Sequence, residues 1–274
     1  MKKFVVGRIL DDIGKGDITS NAVLRGKKKA KAVVVAKESG VLAGMEEVGF
    51  ILKHFKVACK VLKKDGALVG KGDVVLELHG DVRDILKAER GCLDIISRMS
   101  GIATLTKSLL RKVKGKVGIA PTRKTPLGLL DKKAVFVGGG LTHRLGLWES
   151  ILIKDNHLEQ LKKEGYDYYV TEALLRAWNN KKDARFIEIE VGNSSEALEA
   201  ATVFSSFPKK VPLIIMFDNM GPGAIAKTLK SMKAKKLSNG LLFEASGGIK
   251  PSSLVAYSKS GVDVVSMGCL THSV

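Results

Sequence analysis

The chain has 274 residues, 45% of them hydrophobic, enough to bury a sizeable core in one large domain or two unequal ones. A formal net charge of +18 favours anionic partners, but only 5% of residues are aromatic and no nucleic-acid motif is present. The clusters at Lys27, Lys28 and Lys29 and at Lys233, Lys235 and Lys236 therefore read as solvated faces, and neither a nucleic-acid interface nor a membrane span of about 20 apolar residues is expected.

Near the N-terminus, residues 4–13 carry helical spacing, and Gly7, Arg8 and the acids that follow make this stretch a poor signal peptide, so the cytoplasm is the expected compartment. Residues 45–55 also read as helix, whereas 30–36, 57–62 and 74–78 read as extended, which makes the first hundred residues α+β. From 82 to 113 apolar residues recur at helical spacing, with Gly91 and Ser100-Gly101 as points of breakage or close packing. Two helices are expected to link the halves. Cys59, Cys92 and Cys269 lack CxxC or metal-ligand spacing and read as buried thiols.

Beyond Gly115 the pattern changes to short apolar runs at 117–120, 151–153, 186–191, 213–217, 241–245 and 262–267, with a seventh if 135–137 counts. Helical stretches at 171–178, 195–204, 224–232 and 252–260 follow several of them. This alternation indicates a parallel sheet or barrel.

In such a fold, chemistry gathers at the C-terminal ends of the strands. Those ends carry Arg123 and Lys124, then Lys154, Asp155, Asn156 and His157, then Glu188 and Glu190, then Asp218 and Asn219, then Ser246, Gly247 and Gly248, and finally Gly268. Glu188 and Glu190 share one strand face, with Ile187, Ile189 and Val191 on the other. Buried carboxylates need partners, and these are either the rim cations, in a catalytic or a purely structural ion-pair network, or a divalent metal. Glycines 247, 248 and 268 either let backbone N–H groups approach a phosphate at the start of a following helix or form simple turns. Gly138-Gly139-Gly140 followed by Thr142, His143 and Arg144 reads as a flexible loop delivering a cation and an imidazole. Among the five histidines, His54 and His79 lack a supporting pattern, while His143, His157 and His272 lie beside charged or glycine-rich signatures.

The ordered segments GKGDIT, ERGCLDIISRMSGIAT, TRKT, GGGLTHRLGL, LIKDNH, IEIEV, MFDN, EASGGI and VSMGCLTHS resemble the quinolinate phosphoribosyltransferase family over nearly the whole chain. The resemblance implies an N-terminal α/β sandwich domain at 1–104 and, at 105–274, an incomplete, roughly seven-stranded α/β barrel of the type II phosphoribosyltransferase architecture. It also implies a homo-oligomer built from dimers, with quinolinate, phosphoribosyl pyrophosphate and Mg²⁺ as its ligands. Arg123, His143, Arg144 and Lys154 match positions that hold the quinolinate carboxylates, and Arg90 matches an arginine that reaches the neighbouring subunit's site. Lys124, Glu190 and Asp218 match ribose and pyrophosphate contacts, the two carboxylates also being the expected metal contacts. Ser246, Gly247, Gly268 and His272 match binders of the 5-phosphate. The catalytic set so implied is Lys124, Lys154, Glu190 and Asp218. A relative associated with molybdate transport, similar around HRLGL, is the closest rival; Lys154 and Asp218 favour quinolinate chemistry. The chain departs from the family pattern at Thr142, where Asn or Ser is usual, and in the loop after Lys124; the resemblance also implies a short tail after LTHS, which the given sequence does not include.

Overall fold

The computed structural model describes residues 1–208 and 210–273, and the chain divides into two compact units, Met1–Ser108 with Pro126–Gly140, and Leu109–Thr125 with Leu141–Ser273. The first unit contains helices α1 (Lys2–Ile13) and α2 (Ile18–Val23), strands β1 (Lys29–Val35) and β2 (Gly40–Val41), and helix α3 (Met45–His54). Strands β3 (Ala58–Val61), β4 (Leu68–Val69) and β5 (Val74–Asp81) follow, then helix α4 (Val82–Lys112), whose last turn belongs to the second unit, and helix α5 (Leu129–Val137). Strands β1, β5 and β3 form an antiparallel sheet in that order, and β2 pairs with β4. In β1 the alternation of Lys29, Lys31 and Val33 with Ala30, Ala32 and Val34 turns the first set to solvent and the second inward, as a half-buried strand requires.

The stretch expected to form two helices is one helix of 31 residues. Its supposed breakpoints are places of close approach: a Cβ on Gly91 would lie 2.4 Å from the Ile9 side chain, and Ser100 Oγ accepts from Ala43 N at 2.9 Å. Residues 135–137 are not a strand but the end of α5, which buries Leu130, Ala134 and Val135 on one helical face; three apolar residues in a row carry no period of their own. Gly138, read as part of a flexible loop, instead lets α5 end against α4, because a Cβ there would fall 2.5 Å from Ala103 O. Arg98 clamps the buried Asp131 with two bonds of 2.8 Å, which ties α5 to α4. Lys133 ties α5 to α3 through Glu47 at 2.7 Å and through Glu46.

The second unit contains β6 (Gly118–Ala120), β7 (Ile151–Ile153), α6 (Asp155–Lys163), α7 (Tyr169–Asn179), β8 (Ile187–Val191) and α8 (Ser194–Ser206). It continues with β9 (Leu213–Asp218), α9 (Pro222–Ala234), β10 (Leu241–Ser246), α10 (Leu254–Tyr257), β11 (Val264–Ser266) and α11 (Cys269–His272). The six strands run parallel in the order β6-β11-β10-β9-β8-β7, a ring opened between its first two strands. Ile187, Ile189 and Val191 are fully buried on the face of β8 opposite Glu188 and Glu190. Helix α8 starts where Asn193 accepts from Glu196 N at 2.9 Å, and α9 starts with Pro222 in its first turn. The helix expected at 252–260 is reduced to the four residues of α10.

Among the described residues no helix is long and apolar enough to cross a membrane. The lysine clusters at 27–29 and 233–236 are exposed. All three cysteines are free, but only Cys92 is buried, its thiol pushed up to about 12 by desolvation. Cys59 is exposed on the edge strand β3 and Cys269 is half-buried, which corrects the expectation of three buried thiols.

Candidate active site

The C-terminal ends of all six parallel strands open into one cavity of about 760 Å³. Strand β6 leads to Arg123 and Lys124, β7 to Lys154, β8 to Glu190, β9 to Asp218, β10 to Glu244, Ser246 and Gly247, and β11 to Ser266 and Gly268. The loop before β7 adds His143 and Arg144, and α11 adds His272. Every site residue singled out in the sequence lies here except Arg90, Asn156, His157 and Glu188. Arg90 belongs to the first unit, where its 72% exposed side chain lies 3.5 Å from Asp94. His157 is a capping residue, its Nδ1 accepting from Lys154 N at 2.9 Å across the start of α6. Glu188 lies just behind the lining.

One side of the cavity is cationic. Arg144 is 4% exposed, and its pKa is lowered by burial first and then by the charge of Arg123, a repulsion that an anion placed between the two guanidiniums would relieve. Lys154 Nζ donates to Glu190 Oε1 at 2.8 Å, so these two neutralise each other while no substrate anion competes. His143 has a left-handed backbone (φ +51°), its ring meets Phe186 edge-on with centroids 5.6 Å apart, and Nε2 lies 2.7 Å from Glu188 Oε2 and 3.7 Å from Glu244 Oε2.

The opposite side is made of hydroxyls and glycine turns. Gly247 has φ +90°, and a Cβ there would fall 2.4 Å from Asn219 Oδ1, so only glycine fits. A Cβ on Gly268 would lie 2.8 Å from the His272 ring. Gly247 and Gly248 form a turn of left-handed residues, and Gly268 is the N-cap of α11, which like α10 has only four residues. Thr271 Oγ1 donates to Lys124 O at 2.8 Å and fastens the Lys124 loop to α11.

Between the two sides stand carboxylates. Glu190 and Asp218 both face the cavity and supply the hard oxygen ligands that Mg²⁺ takes, so the residues present fit the expected ion. A second convergence, missed in the sequence, is formed by His143, Glu188 and Glu244, whose ligand atoms lie within 4.8 Å of one another. Burial, and next the charge of a neighbouring glutamate, pushes both Glu188 and Glu244 up to about 8. Strand alternation would have found Glu244 and Ser266: Glu244 sits two residues before Ser246, as Glu188 sits two before Glu190, and its β-sheet partner Met216 is also that of Glu190.

An open parallel α/β barrel whose strand ends surround cations, carboxylates and glycine turns is an enzyme scaffold for binding anionic substrates. The family profile described as quinolinate phosphoribosyl transferase, N-terminal domain, matches residues 17–100, and that of the C-terminal domain matches residues 102–274. The chain belongs to the quinolinate phosphoribosyltransferase family. It is 37% identical over 267 residues to a probable nicotinate-nucleotide pyrophosphorylase [carboxylating] of Methanothermobacter thermautotrophicus, covering 96% of this chain and 91% of that one. Identity to the Bacillus subtilis protein of the same name is also 37%, over 100% of this chain and 90% of that one. The crystal structure of NadC from Streptococcus pyogenes is similar with a TM-score of 0.83 and 31% identity, covering 99% of this chain and 92% of that one.

Proposed function

We propose that the protein transfers the phosphoribosyl group of phosphoribosyl pyrophosphate to quinolinate with loss of CO₂, giving nicotinate mononucleotide and pyrophosphate. The observation that carries this reading is the single cavity with two arginines, a lysine and a histidine on one side and Ser246, Gly247, Gly268 and His272 on the other. Arg123, Arg144, Lys154 and His143 hold the two pyridine carboxylates, and the hydroxyl and glycine side holds the 5-phosphate with Gly248.

The ring nitrogen's lone pair attacks the anomeric carbon as the bond to pyrophosphate breaks and takes its electron pair with the leaving group. Positive charge develops on the ribose, and the carboxylates of Glu190 and Asp218 face it and orient its hydroxyls. Lys124 meets the departing pyrophosphate. Mg²⁺, held through Glu190, Asp218 and the substrate's own oxygens, would supply further neutralising charge there when bound. When CO₂ departs, its bonding pair stays at C2, where the adjacent positive pyridinium nitrogen stabilises it electrostatically, and a proton from solvent at C2 completes the product.

The same reading includes a homo-oligomer built from dimers in which Arg90 serves the neighbouring subunit. Arg90 supports it by its exposure on α4, beside a surface groove lined by Arg8, Asp12, Asp94 and Arg98. Mixing Arg90→Ala chains with Arg123→Ala chains under subunit exchange should restore activity in hybrid dimers; hybrids that stay inactive would remove Arg90 from the site. The cytoplasm is the compartment proposed, which suits three free thiols.

The reaction itself is tested by release of labelled CO₂ from carboxyl-labelled quinolinate with phosphoribosyl pyrophosphate and Mg²⁺, with nicotinate run in parallel. Release that needs both substrates is expected. Retained binding of phosphoribosyl pyrophosphate without release would assign the cavity to another acceptor.

A further inference from the structure

Glu188 is fully buried and absent from the cavity lining, yet it touches a residue that lines the cavity. Its Oε2 lies 2.7 Å from His143 Nε2, while its Oε1, like Oε1 of Glu244, finds no hydrogen-bond partner of good geometry among the described residues. A buried carboxylate with an unsatisfied oxygen costs stability, and an apolar side chain would fill that place more cheaply. Glu188 therefore earns no explanation as a structural ion pair. His143, for its part, is fixed on every side that the structure reveals: by a left-handed backbone, by the Phe186 ring, by Glu188 and, 3.7 Å away, by Glu244.

We propose that Glu188 is a positioning residue that sets the orientation of His143 toward the acceptor's carboxylate, with Glu244 closing the alternative orientation. The inference rests on the acceptor assignment made above. It makes selectivity for the acceptor depend on a residue that touches neither substrate. A two-carboxylate wall behind the ring holds the imidazole in one rotamer before the acceptor arrives, so binding does not have to order it.

Initial-rate kinetics on the full chain test this with Glu188→Gln, Glu188→Asp, His143→Asn and the double variant His143→Asn/Glu188→Gln. Glu188→Gln should raise KM for quinolinate by about tenfold while KM for phosphoribosyl pyrophosphate stays within about twofold. Glu188→Asp should not rescue it, because the shorter side chain keeps the carboxyl group but loses the reach. The double variant should be no worse than His143→Asn, because both changes act through one ring. Equal rises in both KM values, rescue by aspartate, or multiplying losses in the double variant would overturn the proposal. Thermal unfolding of each variant checks folding, and Glu188→Met, which removes the unsatisfied oxygen, provides a second folded variant with the same expected KM pattern. If the wild type releases no CO₂ from quinolinate, the acceptor assignment falls by itself. The positioning claim is then read from ¹⁵N spectra of the His143 ring in the free protein, where one fixed ring state that becomes averaged in Glu188→Met supports it and identical spectra refute it.

Discussion

Glu190 and Glu188 stand two residues apart on the same face of β8, yet they live in different electrostatic surroundings. Glu190 has a 14% exposed side chain and holds Lys154, itself 42% exposed, at 2.8 Å. Such a rim pair can open, and in the proposed reaction the lysine would turn to a substrate anion and the carboxylate to a ribose hydroxyl or a metal ion. Glu188 has no exposure, shares His143 with Glu244, and has nowhere to turn. One step along a strand converts a cavity-facing carboxylate into part of the frame, so depth decides the role where residue type does not.

The largest expected effect comes from opening the rim pair permanently. Lys154→Ala removes a cation from the cationic side and leaves Glu190 unbalanced, and should lower kcat/KM by roughly a hundredfold, the cost of a charged hydrogen bond expressed in the transition state. Steady-state rates with quinolinate varied check this, and a loss under about threefold would break the distinction between rim and frame.

A contrast in the first unit sharpens it. Asp131 is as buried as Glu188 but is satisfied by both nitrogens of the Arg98 fork, and the same bonds raise the Arg98 pKa. Asp131→Asn should therefore destabilise by about 3 kcal/mol in urea unfolding, since it strips a guanidinium of its partner. Glu244→Gln should do the opposite and stabilise by about 1 kcal/mol near pH 8. The sign follows from linkage: Glu188 and Glu244 titrate near 8 when folded and near 4.5 when unfolded, so the folded state keeps protons that the unfolded state releases. Their contribution to stability thus falls as pH rises from 4.5 toward 8, and Glu244→Gln should flatten that fall. Unfolding midpoints measured across this window check it; an unchanged slope would mean that the pair does not hold its protons.

The six parallel strands were legible because each buried run ends at a polar signature, and the inward position of Glu188 and Glu190 followed from strand alternation alone. The long helix α4 was not, because Gly91 reads the same whether a helix breaks there or a neighbour such as Ile9 presses close. Residues 135–137 misled for a related reason: three apolar residues fit a strand, and only the Asp131 clamp and the burial of Leu130 and Ala134 reveal a helix. His143 was legible as a candidate, but its partners Glu188 and Glu244 come together from two strands that are not neighbours in the sheet, a convergence no local pattern encodes.

The smallest expected effect separates stability from function on α4. Arg90 and Asp94 form a pair 3.5 Å apart, with side chains 72% and 66% exposed, where water screens the attraction and the side chains lose entropy to make it. Asp94→Ala should therefore change unfolding free energy by no more than about 0.5 kcal/mol. Arg90→Ala should be equally mild in unfolding but, on the proposed role in the neighbouring subunit's site, should lower kcat/KM by about tenfold or more. Both are measured on the same preparations by urea unfolding and CO₂ release. A large loss of stability in either variant would make the pair structural, and an unchanged rate in Arg90→Ala would confine this arginine to the solvated surface of its own helix.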